Sequence, residues 1–353
     1  MKKLLVSPLF LCLVNLIFAC TTFFLKKDGK YFFGRNYDWI TGVGVVHTNL
    51  SGLRKTSFNS QTTDSLYWVS EYGSITFNQY GKEFPTGGMN EKGLVVELMW
   101  LDETKYPAED KRPSIGVLQW IQYQLDNSAT VEELIATDKK IRIDVKESAP
   151  LHYLVADATG NVATIEFLSG KMLVHAGTDL DFPVLTNTIY KDAISQVQKI
   201  NNTNNNQPSF TDNSLQRFAT VCSMINHFNK NNIKESVVDY SFRILDEVSQ
   251  SNFTKWSIVY DINNKRIFFR TNNFFQIKSF DFNFFNLDCS GVPMSFNMNQ
   301  PYFGNVSNRF EKFSKSLNRK FLEKAIHESS SRISITTNRM ETMLKYADGI
   351  RCP

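Results

Sequence analysis

Histidine and cysteine are scarce in this sequence, and their spacing argues against the common metal and redox sites. The 353 residues contain five histidines and five cysteines. No histidine pair has HExxH spacing and no CxxC occurs, so we expect no metal and no other cofactor. The cysteines that follow Cys20 are too few for a disulfide framework; they are Cys222, Cys289 and Cys352.

A strong charge of one sign and long apolar runs are also lacking. The net charge is +4, and lysine and arginine are scattered along the chain rather than gathered in a patch that could bind nucleic acid. After residue 19 no uncharged stretch is long enough to span a membrane. We therefore expect neither a nucleic-acid partner nor a membrane span.

The amino terminus has the three parts of a secretory signal. Lys2 and Lys3 precede an apolar run at residues 4–18, which ends at the small residue Ala19. A basic start, a short apolar centre and a small residue at the cut are typical of signal peptides. The pattern predicts that residues 1–19 are removed after Ala19, and that the mature protein is soluble and secreted or periplasmic.

Short apolar and alternating segments predict strands early and late in the chain. The first two, at 21–25 and 31–39, flank Lys27-Asp28-Gly29, a turn that favours a hairpin. The other predicted strands lie at 93–101, 151–155, 162–168, 171–175, 256–262 and 266–270.

Helical periodicity lies between these strands. Pro113 is a fitting start for the first helix, and Thr130 and Glu133 form a capping-box pattern in the second. The predicted helices lie at 114–125, 128–137, 214–228 and 235–248, and the polar tract at 201–207 predicts an exposed loop. This order predicts an α+β layered domain over residues 20–300. Residues 301–353 form a polar extension with a helical pattern at 308–330.

Cys20 would become the first residue of the mature chain, which gives its thiol an internal base. A thiol attacks as the thiolate and needs a proton acceptor. A free α-amine has a pKa of roughly 7.7–8.0, so it can take the thiol proton and later protonate a leaving amine. The position of Cys20 therefore predicts an amino-terminal nucleophile that needs no histidine.

Arg35 and Asp38 are the candidate partners of Cys20. Both lie on the return strand of the first hairpin, which folds back beside Cys20. Arg35 can stabilise the thiolate, and Asp38 can hold the ammonium form of the α-amine. Successive side chains of a strand point to opposite faces, so we expect the strand to end or bulge near these residues.

Five short motifs occur in a characteristic order up to about residue 285. They are Cys20-Thr21-Thr22, the segment 34–39 from Gly34 to Trp39, the segment 88–94 from Gly88 to Leu94, Val184-Leu185-Thr186-Asn187, and Arg217-Phe218. In this order they resemble the choloylglycine hydrolase family of the N-terminal-nucleophile superfamily. That family contains penicillin V acylases and conjugated bile salt hydrolases.

The resemblance implies a four-layer αββα sandwich that hydrolyses a linear amide C–N bond. It implies that Cys20 is the nucleophile and that Arg35 and Asp38 belong to the active site. It also implies that Asn187 helps to form the oxyanion hole and that Arg217 orders the cluster. A homotetramer is a further implication of the family.

Trp100 departs from the pattern of many members, which have asparagine or tyrosine at this position. The segment 98–103, with Tyr106-Pro107 after it, is similar to the Gram-negative branch of the family. That branch includes penicillin V acylases and enzymes that cleave acyl-homoserine lactones. An indole can only donate a hydrogen bond, so the second oxyanion donor is predicted to be the Trp100 N–H or a backbone amide.

The sequence leaves the substrate open. Penicillin V, bile-salt conjugates, acyl-homoserine lactones and other N-acyl amines all fit the resemblance. The aromatic segments Tyr67-Trp68 and Phe84-Pro85 predict a pocket for a hydrophobic acyl group.

Two other functions remain as alternatives. The first is a lipid-anchored, non-catalytic binding protein with an acylated Cys20, which fits poorly with bulky Phe18 before the cut. The second is a ceramidase-like amidase, which would need an internal cleavage.

The three later cysteines carry simpler predictions. Cys222 lies in an apolar helical run and is predicted to fill the core. Cys289 and Cys352 form one permitted bridge in an oxidising compartment.

Overall fold

A computed structural model of the protein describes residues 20–58, 66–147, 149–201 and 212–352. The predicted signal peptide, residues 1–19, and nearly all of the polar tract at 201–207 lie outside the described residues. None of the described helices combines the length and apolar character needed to cross a lipid bilayer.

The described part of the chain contains twenty strands. The first ten are β1 (Thr21–Lys27), β2 (Lys30–Asp38), β3 (Val45–Asn49), β4 (Arg54–Thr56), β5 (Tyr67–Val69), β6 (Ser74–Asn78), β7 (Pro85–Asn90), β8 (Val95–Trp100), β9 (Ser114–Ile115) and β10 (Arg142–Ile143). The others are β11 (Leu151–Ala156), β12 (Val162–Leu168), β13 (Lys171–Ala176), β14 (Val184–Leu185), β15 (Thr254–Asp261), β16 (Arg266–Thr271), β17 (Phe274–Asp281), β18 (Met294–Asn297), β19 (Gly304–Asn305) and β20 (Glu311–Lys312).

The helices fall between and after these strands. They are α1 (Val117–Asn127), α2 (Val131–Ala136), α3 (Tyr190–Asn201), α4 (Asn213–Lys230), α5 (Val237–Glu247), α6 (Lys315–Ser329) and α7 (Thr337–Gly349).

Two large sheets form the centre of the molecule. Sheet A has the strand order β14-β1-β2-β15-β16-β17-β19, and sheet B has the order β13-β12-β11-β8-β7-β6-β3-β18-β20. The sheets pack face to face, since the Phe77 ring of sheet B lies edge-on to Tyr260 and Phe269 of sheet A, with ring centroids 6.1 and 5.9 Å apart. Helices α4 and α5 cover sheet A and α1 covers sheet B. The predicted α+β, four-layer αββα sandwich is therefore confirmed.

The hairpin β1–β2 places the candidate site residues. Asp28 and Gly29 both have positive φ, +50° and +72°, which suits a two-residue turn between right-twisted strands. The register then pairs Thr22 with Arg35. β2 ends at Asp38, and the pairing of β15 with β2 is irregular between Thr254 and Trp256, opposite that end. The predicted strand end beside Cys20 is thus confirmed.

The first helix starts later than its sequence pattern predicts. Pro113 does not begin it, because Ser114 and Ile115 form a short strand with residues 142–143, and α1 begins at Val117 with Gly116 as the N-cap. Tertiary strand pairing overrides the local helical pattern here. The cap of α2 is confirmed, since the Thr130 hydroxyl accepts from the Glu133 N–H at 3.2 Å.

The carboxy-terminal extension has two helices instead of the single predicted helical pattern. Helix α6 begins at Lys315, because residues 311–312 pair with β18 before it. Helix α7 was not predicted, and neither was α3. Together α6 and α7 form a second apolar cluster with loops of the main domain; its buried members are Val43, Tyr80, Phe84, Leu322, Ala325, Met343 and Leu344.

A disulfide ties the end of the extension to the main domain. Cys289 and Cys352 are bonded, with Cα atoms 5.8 Å apart, as the sequence permitted. Cys222 is buried in α4 and unbonded, as predicted for a core residue.

We expect the double variant Cys289→Ser/Cys352→Ser to unfold more easily than the wild type. The bridge closes a loop with a sequence separation of 63 residues, and loss of such a loop costs about 2–4 kcal/mol. Urea denaturation of the oxidised wild type and the double variant measures this difference. Dithiothreitol should lower wild-type stability and leave the variant unchanged; an equal response in both would contradict the prediction.

Candidate active site

Cys20 lines a large cleft and is nearly buried. The side chain is only 3% exposed, and it lines a cleft of about 1070 Å³. The Asp38 N–H donates to Sγ at 3.4 Å, and Sγ lies 3.6 Å from the Asp38 carbonyl oxygen. Cys20 and Asp38 are therefore neighbours, as the hairpin predicted.

The Asp38 carboxylate is buried, and its hydrogen-bonding capacity is unfilled. Among the described residues neither side-chain oxygen has a partner with good hydrogen-bonding geometry, and the Thr254 side chain acts only as a weak donor that lowers the pKa of Asp38. Burial raises the pKa of Asp38 to about 7, and the Arg217 guanidinium is the main opposing influence. A buried acceptor without a donor costs free energy, so this carboxylate has room for a cationic or hydrogen-bond-donating partner.

Arg217 of α4 links the backbone of Cys20 to Asn187. Its Nη1 donates to the Cys20 carbonyl oxygen at 2.5 Å and to the Thr21 hydroxyl at 2.6 Å. Its Nη2 donates to Asn187 Oδ1 at 2.9 Å. Burial lowers the pKa of Arg217 to about 10, while the charges of Asp38 and Cys20 oppose that change.

Asn187 and Trp100 are brought together beside this link. Asn187 Nδ2 donates to the Trp100 carbonyl oxygen at 2.8 Å, and Asn187 does not line the cleft itself. The Trp100 indole N–H donates to Asp102 Oδ1 at 2.6 Å. In this conformation the indole N–H is bonded to Asp102 and the Asn187 amide to the Trp100 carbonyl oxygen, so either group would have to turn to meet an oxyanion. The second oxyanion donor stays a prediction, either the Trp100 N–H or a backbone amide.

Arg35 does not contact the Cys20 thiol directly but is held by a partner that the sequence analysis missed. Its Nη1 forms a fully buried ion pair with Glu97 of β8 and donates to the Thr86 carbonyl oxygen at 3.0 Å. The guanidinium also stacks over the Tyr37 ring, 4.7 Å from its centroid. Arg35 is thus a fixed positive charge between the sheets.

Glu97 is anchored on both sheets. It accepts from Arg35 of β2 and from the Tyr260 hydroxyl of β15. Burial raises the pKa of Glu97 to about 7, and Arg35 opposes that rise. Gly87 on the neighbouring strand leaves room for the Glu97 carboxylate, since a Cβ at position 87 would collide with it.

One sequence signal could have identified Glu97. It is the only charged residue in the otherwise apolar strand Val95–Trp100, and a charge in a strand covered on both faces requires a partner.

The thiol is protonated in this arrangement. Burial raises the pKa of Cys20 to about 11, and the Asp38 charge adds to the rise. Arg35 and Arg217 lower it but do not compensate. A thiolate at neutral pH therefore requires a further positive charge or a proton acceptor at the site.

The cleft wall has an apolar part and a charged part. Phe84 belongs to the apolar part, as predicted, and its ring lies 5.1 Å from Phe58. The prediction for Tyr67-Trp68 was wrong: Tyr67 is 73% exposed, and Trp68 is buried with its N–H bonded to Asp126. The charged part of the wall contains Glu109, Asp110, Lys111, Arg112, Arg142, Asp144, Lys146 and Glu147.

Metal ligands are not gathered anywhere in the ranges that the structure describes. Histidine, cysteine and carboxylate side chains form no group of three suited to an ion there.

We expect Glu97→Gln to destabilise the protein strongly, because it leaves the buried Arg35 charge without its counter-charge. Breaking a buried ion pair from one side costs about 3–5 kcal/mol in the free energy of unfolding. Glu235→Gln is the matched control, since its pair with Arg243 is exposed to solvent and is worth about 0.2–1 kcal/mol. Chemical denaturation of both variants measures the difference, and equal losses would rule out this role for Glu97.

Comparison with known proteins places this geometry in a family. The profile of the linear amide C–N hydrolases, choloylglycine hydrolase family, matches residues 20–295. A stretch of 139 residues is 36% identical to penicillin V acylase of Pectobacterium atrosepticum, and it covers 35% of this chain and 36% of that protein. The chain thus matches about a third of that relative's length.

Solved structures agree over a longer stretch. Penicillin V acylase from Agrobacterium tumefaciens superposes with a TM-score of 0.72 at 25% identity, covering 84% of this chain and 98% of that one. A mutant of conjugated bile acid hydrolase from Clostridium perfringens shares the fold, with a TM-score of 0.66 at 19% identity over 80% of this chain and 98% of that one. The chain belongs to the choloylglycine hydrolase family of linear amide C–N hydrolases.

Proposed function

We propose that this protein is an exported amidase that uses Cys20 as an amino-terminal nucleophile after residues 1–19 are removed. The observation that carries the proposal is the buried Asp38 carboxylate beside Cys20, whose oxygens have no hydrogen bond of good geometry among the described residues and only Thr254 as a weak side-chain donor. An α-ammonium group formed at Cys20 would supply a donor and a counter-charge at this place. The basic, apolar and small-residue pattern of residues 2–19 supports export to a secreted or periplasmic location.

Removal of the leader would also activate the thiol. In the full chain the nitrogen of Cys20 is a peptide amide, which cannot accept a proton, and burial keeps the thiol pKa near 11. A free amine has a pKa of roughly 7.7–8.0 and can take the thiol proton. The resulting ammonium would stabilise the thiolate together with Arg35 and Arg217.

The reaction then follows in two stages. The Cys20 thiolate attacks the amide carbonyl carbon, and the oxyanion is held by the Asn187 side-chain N–H, once this turns from the Trp100 carbonyl, and by a backbone N–H. The C–N bond breaks as the α-ammonium protonates the leaving amine, which leaves a thioester on Cys20. Water, deprotonated by the α-amine, then attacks the thioester and releases the acid and the thiol.

The proposed substrates are N-acyl amides with a hydrophobic acyl or aryl-acyl group. The penicillin V acylase relatives support penicillin V itself as one of them. Bile-salt conjugates and acyl-homoserine lactones stay as alternatives of the same chemistry. The cleft of about 1070 Å³ is at the upper end of the usual range for small-molecule sites, roughly 300–1,000 Å³. The homotetramer stays a prediction.

We expect the mature protein to release amine from one or more members of a panel of penicillin V, a bile-salt conjugate and an acyl-homoserine lactone. Cys20→Ser should lower kcat by roughly 10³–10⁶-fold, because the nucleophile is lost. Cys222→Ser, which changes a buried thiol outside the site, is the control and should keep its activity. Equal rates in wild type and Cys20→Ser would remove Cys20 from the mechanism.

Intact mass spectrometry of the active protein tests the processing step. A chain that begins at an unmodified Cys20 supports the proposal. An acylated Cys20 would instead indicate the lipid-anchored binding protein, and a start at any other residue would contradict the mechanism.

We expect the pH dependence of thiol alkylation to differ between the full chain and the chain that begins at Cys20. In the full chain the thiol pKa is raised to about 11, so about one thiol in a thousand is ionised at pH 8. The free α-ammonium should move the midpoint of Cys20 alkylation by iodoacetamide to lower pH. Peptide mass spectrometry measures both rates, with buried Cys222 as the internal control; identical midpoints would exclude activation by the amine.

A further inference from the structure

The carboxy-terminal extension forms part of the wall of the Cys20 cleft. Residues 333–336 and several side chains of the first half of α7 line it. The matched family region ends at residue 295, so this part of the wall lies outside it. The cleft is thus completed by a segment that the family region does not supply.

The extension contributes three apolar side chains to the cleft beside five polar or charged ones, which are Ser334, Thr336, Asn338, Arg339 and Thr342. Ile333, Ile335 and Met343 line the cleft together with Phe58 and Phe84 of the main domain. Apolar side chains on both sides of a cleft favour an apolar ligand group, because its transfer from water into apolar surroundings is favourable.

The extension is held in place at several points around the cleft. The Tyr346 hydroxyl donates to the Thr56 carbonyl oxygen at 2.8 Å and accepts from Gln119 Nε2 at 2.7 Å. Arg339 pairs with Glu147 of the main domain at 3.4 Å. The disulfide at Cys352 fixes the end of the chain. The contacts of Arg339, Tyr346 and Cys352 therefore fix the position of the extension relative to the main domain, which carries Cys20.

We propose that residues 333–343 form the acyl-binding wall of the cleft and set the size of the acyl group that the enzyme accepts. The inference rests on the proposed amidase function. The acyl group is assigned to the place where Ile333, Ile335 and Met343 face the cleft with Phe58 and Phe84. The one charged side chain that the segment adds to the lining, Arg339, is paired with Glu147, whereas residues 109–112 and 142–147 contribute most of the charge of the wall, which disfavours an alkyl or aryl group. Substrates are then amides of medium-chain or aryl-substituted acids, and the extension selects among them.

Ile335 is the position to test, because it lines the cleft and is only partly buried, so substitution is compatible with folding. Ile335→Trp should shorten the pocket and Ile335→Ala should lengthen it. The measurement is kcat/KM on a series of amides with one common amine and acyl groups from acetyl to decanoyl, plus phenoxyacetyl.

The two variants should move the acyl preference in opposite directions. For Ile335→Trp, kcat/KM for the longest accepted acyl group should fall by about 10–200-fold, the range for one misfitted group in an apolar pocket, while acetyl changes little. Ile335→Ala should shift the optimum to a longer chain. The matched control is Leu317→Trp, on α6, 42% exposed and outside the cleft, which should keep the wild-type profile.

The outcomes test the amidase function and the wall assignment separately. If the wild type hydrolyses these amides and both Ile335 variants keep its profile, the wall assignment is overturned and the amidase function stands. If all variants change in parallel with Leu317→Trp, the effect is general and the wall assignment also fails. If the folded, mature wild type cleaves neither this series nor the bile-salt conjugate and acyl-homoserine lactone of the substrate panel, the amidase function fails and the wall assignment fails with it. If it cleaves only the bile-salt conjugate, the amidase function stands and the wall assignment fails.

Discussion

The buried ion pair between Arg35 and Glu97 is the interaction on which the arrangement of the site depends. It joins β2 of sheet A to β8 of sheet B, and Tyr260 adds a second contact between the sheets. Two charges removed from water are stable only together, so the pair ties the two sheets together near Cys20. The same strand β2 carries Asp38 at its end. Arg35, which joins the two sheets, and Asp38, whose carboxylate lies beside Cys20, are therefore three positions apart on one strand.

Much of this organisation is readable from the sequence because it is local. The hairpin, its turn and the neighbourhood of Cys20 and Asp38 follow from alternation and from Asp28-Gly29. The start of α1 does not, because the pairing of residues 114–115 with 142–143 depends on chain that is distant in sequence. Helices α3 and α7 were missed, and the packing of α7 on Tyr80 and Phe84 is a tertiary contact that local patterns do not contain.

The same distinction holds for the candidate site. The residues of the motifs could be named in advance, but their partners could not. Arg217 reaches the Cys20 carbonyl oxygen from a helix almost two hundred residues away, and the Trp100 indole is occupied by Asp102. Hydrogen bonds of this kind depend on side-chain direction. The charged residues around the thiol could therefore be predicted from the sequence, whereas the hydrogen bonds that orient their side chains could not.

The register of the first hairpin has a consequence for the length of its turn. Thr21 lies opposite Asn36 and Thr22 opposite Arg35, and Asn36 points to the other face, where its amide donates to the Leu245 carbonyl oxygen of α5. A slip of one residue would exchange the two faces, so the guanidinium would enter the helical layer and an amide would meet Glu97. An insertion in the exposed turn at Asp28-Gly29 would therefore displace Arg35 and Asp38, although neither residue lies in the turn.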